Sequence, residues 1–321
     1  MCIQDYFLKY FDWRPFRNTF LNKVTGNASK VFGQLANLWL PYYFRRSPGL
    51  AYYARRRQEG ARVTDAVISL TTFPRRAPYL WLVIETLLRQ SMLPHKIVLY
   101  LSREQFPSAA DVPATLRPYE EAGILEIRMV DGDIRSHKKY WYAVSDFPNE
   151  PLITVDDDII YHSSTIEKLT EADHSHPGCV PCFWHEMMSW DEQNQILPYS
   201  QWKGCTKIER EYTDAFLGSG GGTYFPKGAL LSANRPLTDI TSICPLADDI
   251  WLNAIVRLNG FKLYCISRNG CVPEWNIKGN IKLCTINNGK KQNDVQLANI
   301  RKYFIEKEGI DPFRKAVTNR L

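Results

Sequence analysis

The sequence predicts an α/β protein built on a mostly parallel sheet flanked by helices. Three observations carry that expectation. Apolar runs of strand length recur about every 28 residues from residue 65. Amphipathic stretches of helical length separate them, and polar clusters follow the runs rather than interrupt them. Strands alternating with helices build βαβ units, in which helices cover the sheet.

Taken in order, AVISLTT (66–72) is the first strand, and YLWLVIETLLRQ after Pro78 is the first helix of the repeat. KIVLYLS (96–102) is the second strand, followed by a helix around PATLRPYEEAG (113–123). ILEIRMV (124–130) is the third strand, KKYWYAVSDF (138–147) a short helix and PLITV (151–155) the fourth strand. SSTIEKLTEA (163–172) opens a helix with Ser164 and Glu167 in capping-box spacing. The next stretch of about 75 residues is rich in Trp, Gly and Pro and reads as irregular. ADDIWLNAIVRLNG (247–260) is a helix stopped by Gly260. FKLYCIS (261–267) is a further strand, and DVQLANIRKYFIEKEG (294–309) the last helix. No internal repeat or low-complexity linker is present, so residues 63–321 read as one domain preceded by an arm, residues 1–62.

The composition, 45% hydrophobic and 23% charged, is that of a globular protein. No run approaches the roughly 20 apolar residues that cross a bilayer. The first residues show no signal-peptide pattern, which predicts a cytoplasmic protein with its eight cysteines as thiols. The net charge of +6 is unevenly placed: residues 1–62 carry +8 and the remainder −2. The arm interleaves its arginines with Trp, Tyr and Phe, a mixture suited to an anionic membrane surface. A helical arm packed on the body is the competing expectation, and RNA binding ranks third, so no nucleic-acid partner is expected.

In an open parallel sheet, ligands bind beyond the carboxyl ends of the strands. TTFPRR (71–76), DGDIRSHKK (131–139) and DDD (156–158) all fall there, and share one crevice if the fourth strand lies beside the first. The chain has no G-x-G-x-x-G after the first strand and no G-x-x-x-x-G-K-[ST], so no glycine cradle awaits a diphosphate. A divalent cation supplies the missing positive charge. Asp156 and Asp158, in D-x-D spacing at a strand end, predict a site for Mn2+ or Mg2+. The structural alternative is an acidic turn.

SLTTFPRR, DGDIRSHKKYWYA, ITVDDDIIY, LGSGGGTYFP and ADDIWL, in that order, resemble glycosyltransferases of the GT-A fold, specifically the bacterial enzymes of capsule and surface polysaccharide synthesis. The resemblance covers about residues 67–304 and implies a Rossmann-like GT-A sheet. It implies a nucleotide-sugar donor, UDP-hexose first, and a saccharide or lipid-linked acceptor. In that picture the 71–76 loop, with Thr71 and Arg75, and Asp133 hold the nucleoside, and Lys138 or Lys139 approaches the phosphates. Asp157 adds to the donor site, Asp156 and Asp158 hold the metal, and Gly220, Gly221 and Tyr224 shape the sugar pocket. The family's further histidine ligand near the C-terminus has no counterpart, because all six histidines precede residue 186. Asn287, Asn288 or Asp294 are the candidates in its place, the alternative being a site without a third protein ligand.

The resemblance also makes the acidic pair Asp248 and Asp249 the seat of an inverting base, Asp249 chosen over Asp248. Their bland role is to complement a helix N-terminus. Two adjacent carboxylates should push their pKa values apart, leaving one more basic. HSHPGCVPCFWHE (174–186) is a weak zinc pattern, lacking a second Cys pair. Two other classes compete. A haloacid dehalogenase-like phosphatase also uses D-x-D after a strand, though three strands precede it here. The second is a non-enzymatic membrane or RNA adaptor.

Overall fold

The computed structural model describes residues 2–5, 38–204, 208–266 and 292–315. Within them the chain forms one sheet with helices on both sides, the α/β class expected. Strands β1 (Val67–Thr71), β2 (Lys96–Ser102), β3 (Leu125–Val130) and β4 (Leu152–Thr154) are parallel, in spatial order β3-β2-β1-β4. Beyond β4 the sheet becomes mixed. Strand β5 (Cys179–Met187) carries the two-residue β6 (Lys203–Gly204), and β7 (Arg210–Tyr212) leads to β8 (Ala215–Phe225). β8 inserts antiparallel between β4 and β5, and β9 (Lys262–Cys265) lies parallel to β5 with β7 on its far edge. The two longest strands therefore arise from the stretch whose Trp, Gly and Pro content reads as irregular.

Side chains alternate between the two faces, as the period of a strand requires. Ile97, Leu99 and Leu101 of β2 face one apolar cluster, while Val98 and Tyr100 face the other. On the first face lie α1 (Gly49–Gln58), α2 (Leu80–Leu88), the short α3 (Arg117–Glu121) and α5 (Thr165–Ser175). On the second lie α4 (Lys138–Asp146), α6 (Leu237–Ile243), α7 (Asp248–Leu258) and α8 (Gln292–Glu308). β1 and β2 are buried almost throughout because both faces are covered, which explains their unbroken apolar runs.

Gly260 and Gly309 follow α7 and α8 with φ of +78° and +71°, the left-handed stop their positions predict. The expected capping box of α5 does not form. Ser164 stands at the N-cap without a side-chain cap bond, and Glu167 instead accepts from Ser91 Oγ at 2.7 Å and pairs with Arg62.

The described part of the arm packs on α2. Leu40 and Phe44, in the helical residues 38–46, are buried in the first cluster. The Gly49 N–H donates to Glu85 Oε2 at 2.7 Å, and the Tyr119 hydroxyl to Glu85 Oε1 at 2.8 Å. Arg89 pairs with the same carboxylate at 3.1 Å. A buried carboxylate is costly unless paired and hydrogen-bonded, and these partners from three segments tie α1 to the body.

Candidate active site

β4 pairs with β1 (Val67 opposite Leu152, Ser69 opposite Thr154), whereas β2 and β3 extend from the other edge of β1. The winding thus reverses between β1 and β4. That is the switch point where open α/β sheets bind ligands, at the carboxyl ends of the strands. The 71–76 loop, the start of α4 and the turn after β4 meet there.

Lys139, in the first turn of α4, organises the site. Its side chain is 3% exposed and its ammonium lies 2.8 Å from Asp156 Oδ1 and 3.0 Å from Asp248 Oδ2. Burial opposes its charge, but Asp156, Asp248 and Asp249 hold its pKa well above the usual lysine range. Ser69 of β1 fixes the backbone, donating its hydroxyl to the Lys139 carbonyl at 2.5 Å. Lys138 turns elsewhere and pairs with Asp133, which also accepts from Gln105 Nε2 at 2.7 Å and from the Arg135 N–H at 3.0 Å.

The three aspartates after β4 divide their partners. Asp156 takes Lys139, and its own N–H donates to the Tyr161 hydroxyl at 2.7 Å, which donates to the Gly220 carbonyl at 2.6 Å. Asp157 is buried, accepting from the Thr72 hydroxyl at 2.5 Å and from Arg76 at 2.7 Å. Asp158 pairs with the other end of the Arg76 guanidinium at 2.9 Å. Burial pushes the Asp157 carboxyl above its ordinary value. Burial, and then the neighbouring Asp156, push Asp158 up to about 7, against the pull of Arg76.

β8 brings the glycines to this edge inside a strand, not in a loop. Its pairing with β5 runs from Thr223 opposite Cys182 to Gly218 opposite Trp184, so residues 219–222 bulge out, with Gly222 at φ +94°. A Cβ at Gly220 would stand 1.8 Å from Asp156 Oδ2, and one at Gly221 would stand 2.3 Å from the Trp184 ring. Any side chain at 220 would therefore displace the Asp156 carboxylate. The bulge also aims Ser219 at the start of α7: its N–H donates to Asp249 Oδ1 and its hydroxyl to Asp248 Oδ2, each at 2.7 Å.

Asp248 and Asp249 thus reach across to β8, and no side-chain cap bond forms at the N-terminus of α7. Burial would raise the Asp248 pKa, but Lys139 above all, then His137 and Ser219, hold it down to about 2. Burial and the ionised Asp248 push Asp249 up to about 7. This is the split that adjacent carboxylates predict. His137 stands behind Asp248. Its Nε2 faces the Cys244 carbonyl at 2.7 Å, which can only accept, so Nε2 carries the hydrogen and Nδ1 accepts from the Tyr140 hydroxyl at 2.7 Å. Burial lowers its pKa, against the pull of Asp248.

Of the residues singled out from sequence, Asp156, Asp157, Asp158, Lys139, Asp248, Asp249 and Gly220 come together, with Gly221 behind them on the bulge. Thr71 donates its hydroxyl to the Tyr100 carbonyl at 2.8 Å, and Arg75 is exposed. Their neighbours Thr72 and Arg76 are the ones that hold the aspartates. Tyr224 is fully buried, its hydroxyl 3.3 Å from Asp65 ahead of β1, at the opposite end of the sheet from Asp156. Asp294 accepts from the Tyr199 N–H at 2.7 Å, while Asn287 and Asn288 lie outside the described residues. The sequence does not point to Ser219, and it marks the 71–76 loop as a whole without singling out Thr72 or Arg76. The signal for Ser219 was its place among glycines, and for Arg76 its adjacency to Arg75.

Among the described residues no three His, Cys, Asp or Glu side chains converge as a metal cage. Asp156 and Asp158 nevertheless supply hard carboxylate oxygens, each with one oxygen on a side-chain cation. Mg2+-type ions are commonly held by one or two carboxylates, with phosphate and water completing the shell. Five carboxylates, Asp156 to Asp158 with Asp248 and Asp249, face two side-chain cations, Arg76 and Lys139. The donor set fits a hard divalent cation, and the negative excess would repel a diphosphate that arrived without one.

No protein-family model matches the chain, and no curated protein matches it. Among solved structures it is similar to 4-diphosphocytidyl-2C-methyl-D-erythritol synthase, at 12% identity and a TM-score of 0.41, over 73% of this chain and 99% of that one. It is also similar to a mannosyltransferase from Pyrobaculum calidifontis in complex with GDP-Man and Mn2+. There the identity is 12% and the TM-score 0.47, over 88% of this chain and 79% of that one. What the site can do follows from its own residues.

Proposed function

We propose that the protein is a GT-A glycosyltransferase of surface polysaccharide synthesis. It moves a hexosyl group from a nucleoside diphosphate sugar, UDP-linked first, to a saccharide or lipid-linked acceptor with inversion. One observation carries the reading: Lys139 joins a carboxylate suited to the donor's metal, Asp156, to an acidic pair whose second member, Asp249, is held near neutrality.

In the reaction an acceptor hydroxyl oxygen bonds to the anomeric carbon as the bond from that carbon to the diphosphate oxygen breaks. The electron pair leaves with the diphosphate, and the hydroxyl proton passes to Asp249. A base with a pKa near the working pH accepts that proton best, and about 7 satisfies this. Asp248, ionised and held by Lys139 and Ser219, keeps Asp249 basic and oriented. Mn2+ or Mg2+, held by Asp156 and Asp158, would supply Lewis-acid stabilisation of the leaving diphosphate. Lys139 adds a fixed positive charge beside it. Arg76 and Thr72 hold the turn; Thr71 at the end of β1, Arg75 and Asp133 on the loops after β1 and β3, and Lys138 at the start of α4 are the donor contacts of this reading.

No helix among the described residues is long and apolar enough to cross a membrane. A cytoplasmic enzyme, peripheral on the inner membrane face, is consistent with the basic arm. Thermal-shift screening of nucleotide sugars with Mn2+ tests the reading. A UDP-sugar should raise the melting temperature, and product NMR should show the inverted anomer. A screen without any nucleotide-sugar response overturns it.

A further inference from the structure

The helical residues 38–46 have two unlike faces. Leu40 and Phe44 point into the core, whereas Leu38, Trp39 and Tyr42 are 67%, 42% and 57% exposed. Arg45 and Arg46 are exposed beside them. Positions 38, 39, 42, 45 and 46 fall on one side of a helix. Residues 38–58 contain five arginines and no acidic residue. Glu59 lies within 3.7 Å of Arg55 and 3.9 Å of Arg56. Arg45, Arg46 and Arg57 pair with no carboxylate among the described residues.

We infer that this face, with the arginines of α1, docks the protein on an anionic lipid surface. Leu, Trp and Tyr beside arginines suit the headgroup boundary, where aromatic rings settle and guanidinium groups meet phosphates. Two competing occupants fit worse. A second copy would set five arginines against five. A single-stranded nucleic acid needs open ring faces, but Arg46 lies over the Tyr42 ring at 5.3 Å and Trp39 is stacked on Tyr43 at 5.1 Å.

The part of the surface around Arg45 lies toward the catalytic edge, whereas the arginines of α1 lie toward the far end of α2, where Arg56 reaches the Ser91 carbonyl. The Arg45 guanidinium sits over Trp81, 5.5 Å from its ring, near the start of α2, and a short turn, Ala77–Tyr79, joins α2 to the 71–76 loop. Docking would place the crevice next to the bilayer and make the acceptor lipid-linked. That consequence, unlike the docking, rests on the transferase reading.

Co-sedimentation of the full-length protein with phosphatidylcholine vesicles, with and without phosphatidylglycerol, tests the inference at low and high salt. The protein should bind only the anionic vesicles and lose binding as salt screens the charges. Trp39→Ser with Tyr42→Ser should weaken partitioning about tenfold or more. Arg46→Glu and Arg57→Glu should each weaken it roughly fivefold or more. Lys302→Glu on exposed α8 should leave it unchanged. Circular dichroism should show every variant folded. The inference is overturned if the wild type ignores anionic vesicles at low salt, or if the Trp39/Tyr42 variant binds as well as wild type. Displacement from vesicles by a single-stranded RNA oligonucleotide at lower concentration than by free lipid also overturns it. UDP release with a soluble acceptor should be unchanged in the patch variants. Vesicle binding without any UDP release would remove the transferase reading and leave the docking intact.

Discussion

Replacing Asp249 by Asn should make the protein more stable and less active at the same time. Asn keeps an oxygen that accepts the Ser219 N–H, now 2.7 Å from Asp249 Oδ1, so the bulge of β8 keeps its anchor. What disappears is a carboxylate whose ionisation the fold resists: its pKa stands at about 7 against an ordinary 3.8. A carboxyl raised this way favours the folded state only while protonated. That contribution is complete below about pH 4 and is lost as pH rises through 7. Holding the carboxyl at about 7 rather than 3.8 sets an upper scale of about 4 kcal/mol for the strain above pH 7. Urea denaturation of wild type and Asp249→Asn between pH 5 and 8 should show their stability difference widening in the variant's favour as pH rises. Transfer should fall about 10²-fold or more with donor affinity retained. A variant less stable at pH 8 with near-native turnover would refute both the electrostatics and the role.

Asp156→Asn and Asp158→Asn should fold yet lose Mn2+-dependent UDP-sugar binding in calorimetry, and unchanged affinity in both, with no effect of chelator, sinks the metal assignment. Lys139→Met leaves Asp156 and Asp248 without their shared cation. The expected loss is about 3 kcal/mol in urea denaturation near neutral pH, and it should be partly recovered by adding Asp248→Asn; a loss below about 1 kcal/mol contradicts the bridging role. Gly220→Ala places a methyl group 1.8 Å from Asp156 Oδ2. It should cost about 1–3 kcal/mol in stability and weaken Mn2+-dependent donor binding, which native affinity would disprove.

The parallel half of the sheet was legible because β1, β2 and β4 are buried on both faces and write nearly unbroken apolar runs, while β3 alternates apolar and charged residues at the strand period. β2 is the run 96–102 as read from the sequence. β8 was not legible as a strand. Its glycines have low strand propensity, and they are there because Asp156 and Trp184 occupy the space their side chains would fill. The grouping of 71–76, Lys139 and the aspartates followed once β4 was placed beside β1. Which member of each adjacent pair turns inward did not follow. Thr72 rather than Thr71, Arg76 rather than Arg75, and Lys139 rather than Lys138 are settled by backbone direction at the strand and helix ends, which local periodicity does not encode. The contact between Ser219 and the acidic pair spans 30 residues of sequence and depends on a bulge. The arm shows the same limit: its charge was plain, but the buried Glu85 that fastens it is one acid within an apolar helix.

Sugar transfer from a nucleoside diphosphate by the Lys139-bridged carboxylates can be read in one experiment. The most direct measurement is nucleoside diphosphate release from a panel of nucleotide sugars, with Mn2+ or with chelator, for wild type and Asp249→Asn. UDP release should require the metal, rise with a saccharide acceptor and nearly vanish in the variant. Release of inorganic phosphate from phosphomonoesters without nucleotide-sugar turnover, or UDP release unaffected by both chelator and Asp249→Asn, would contradict it.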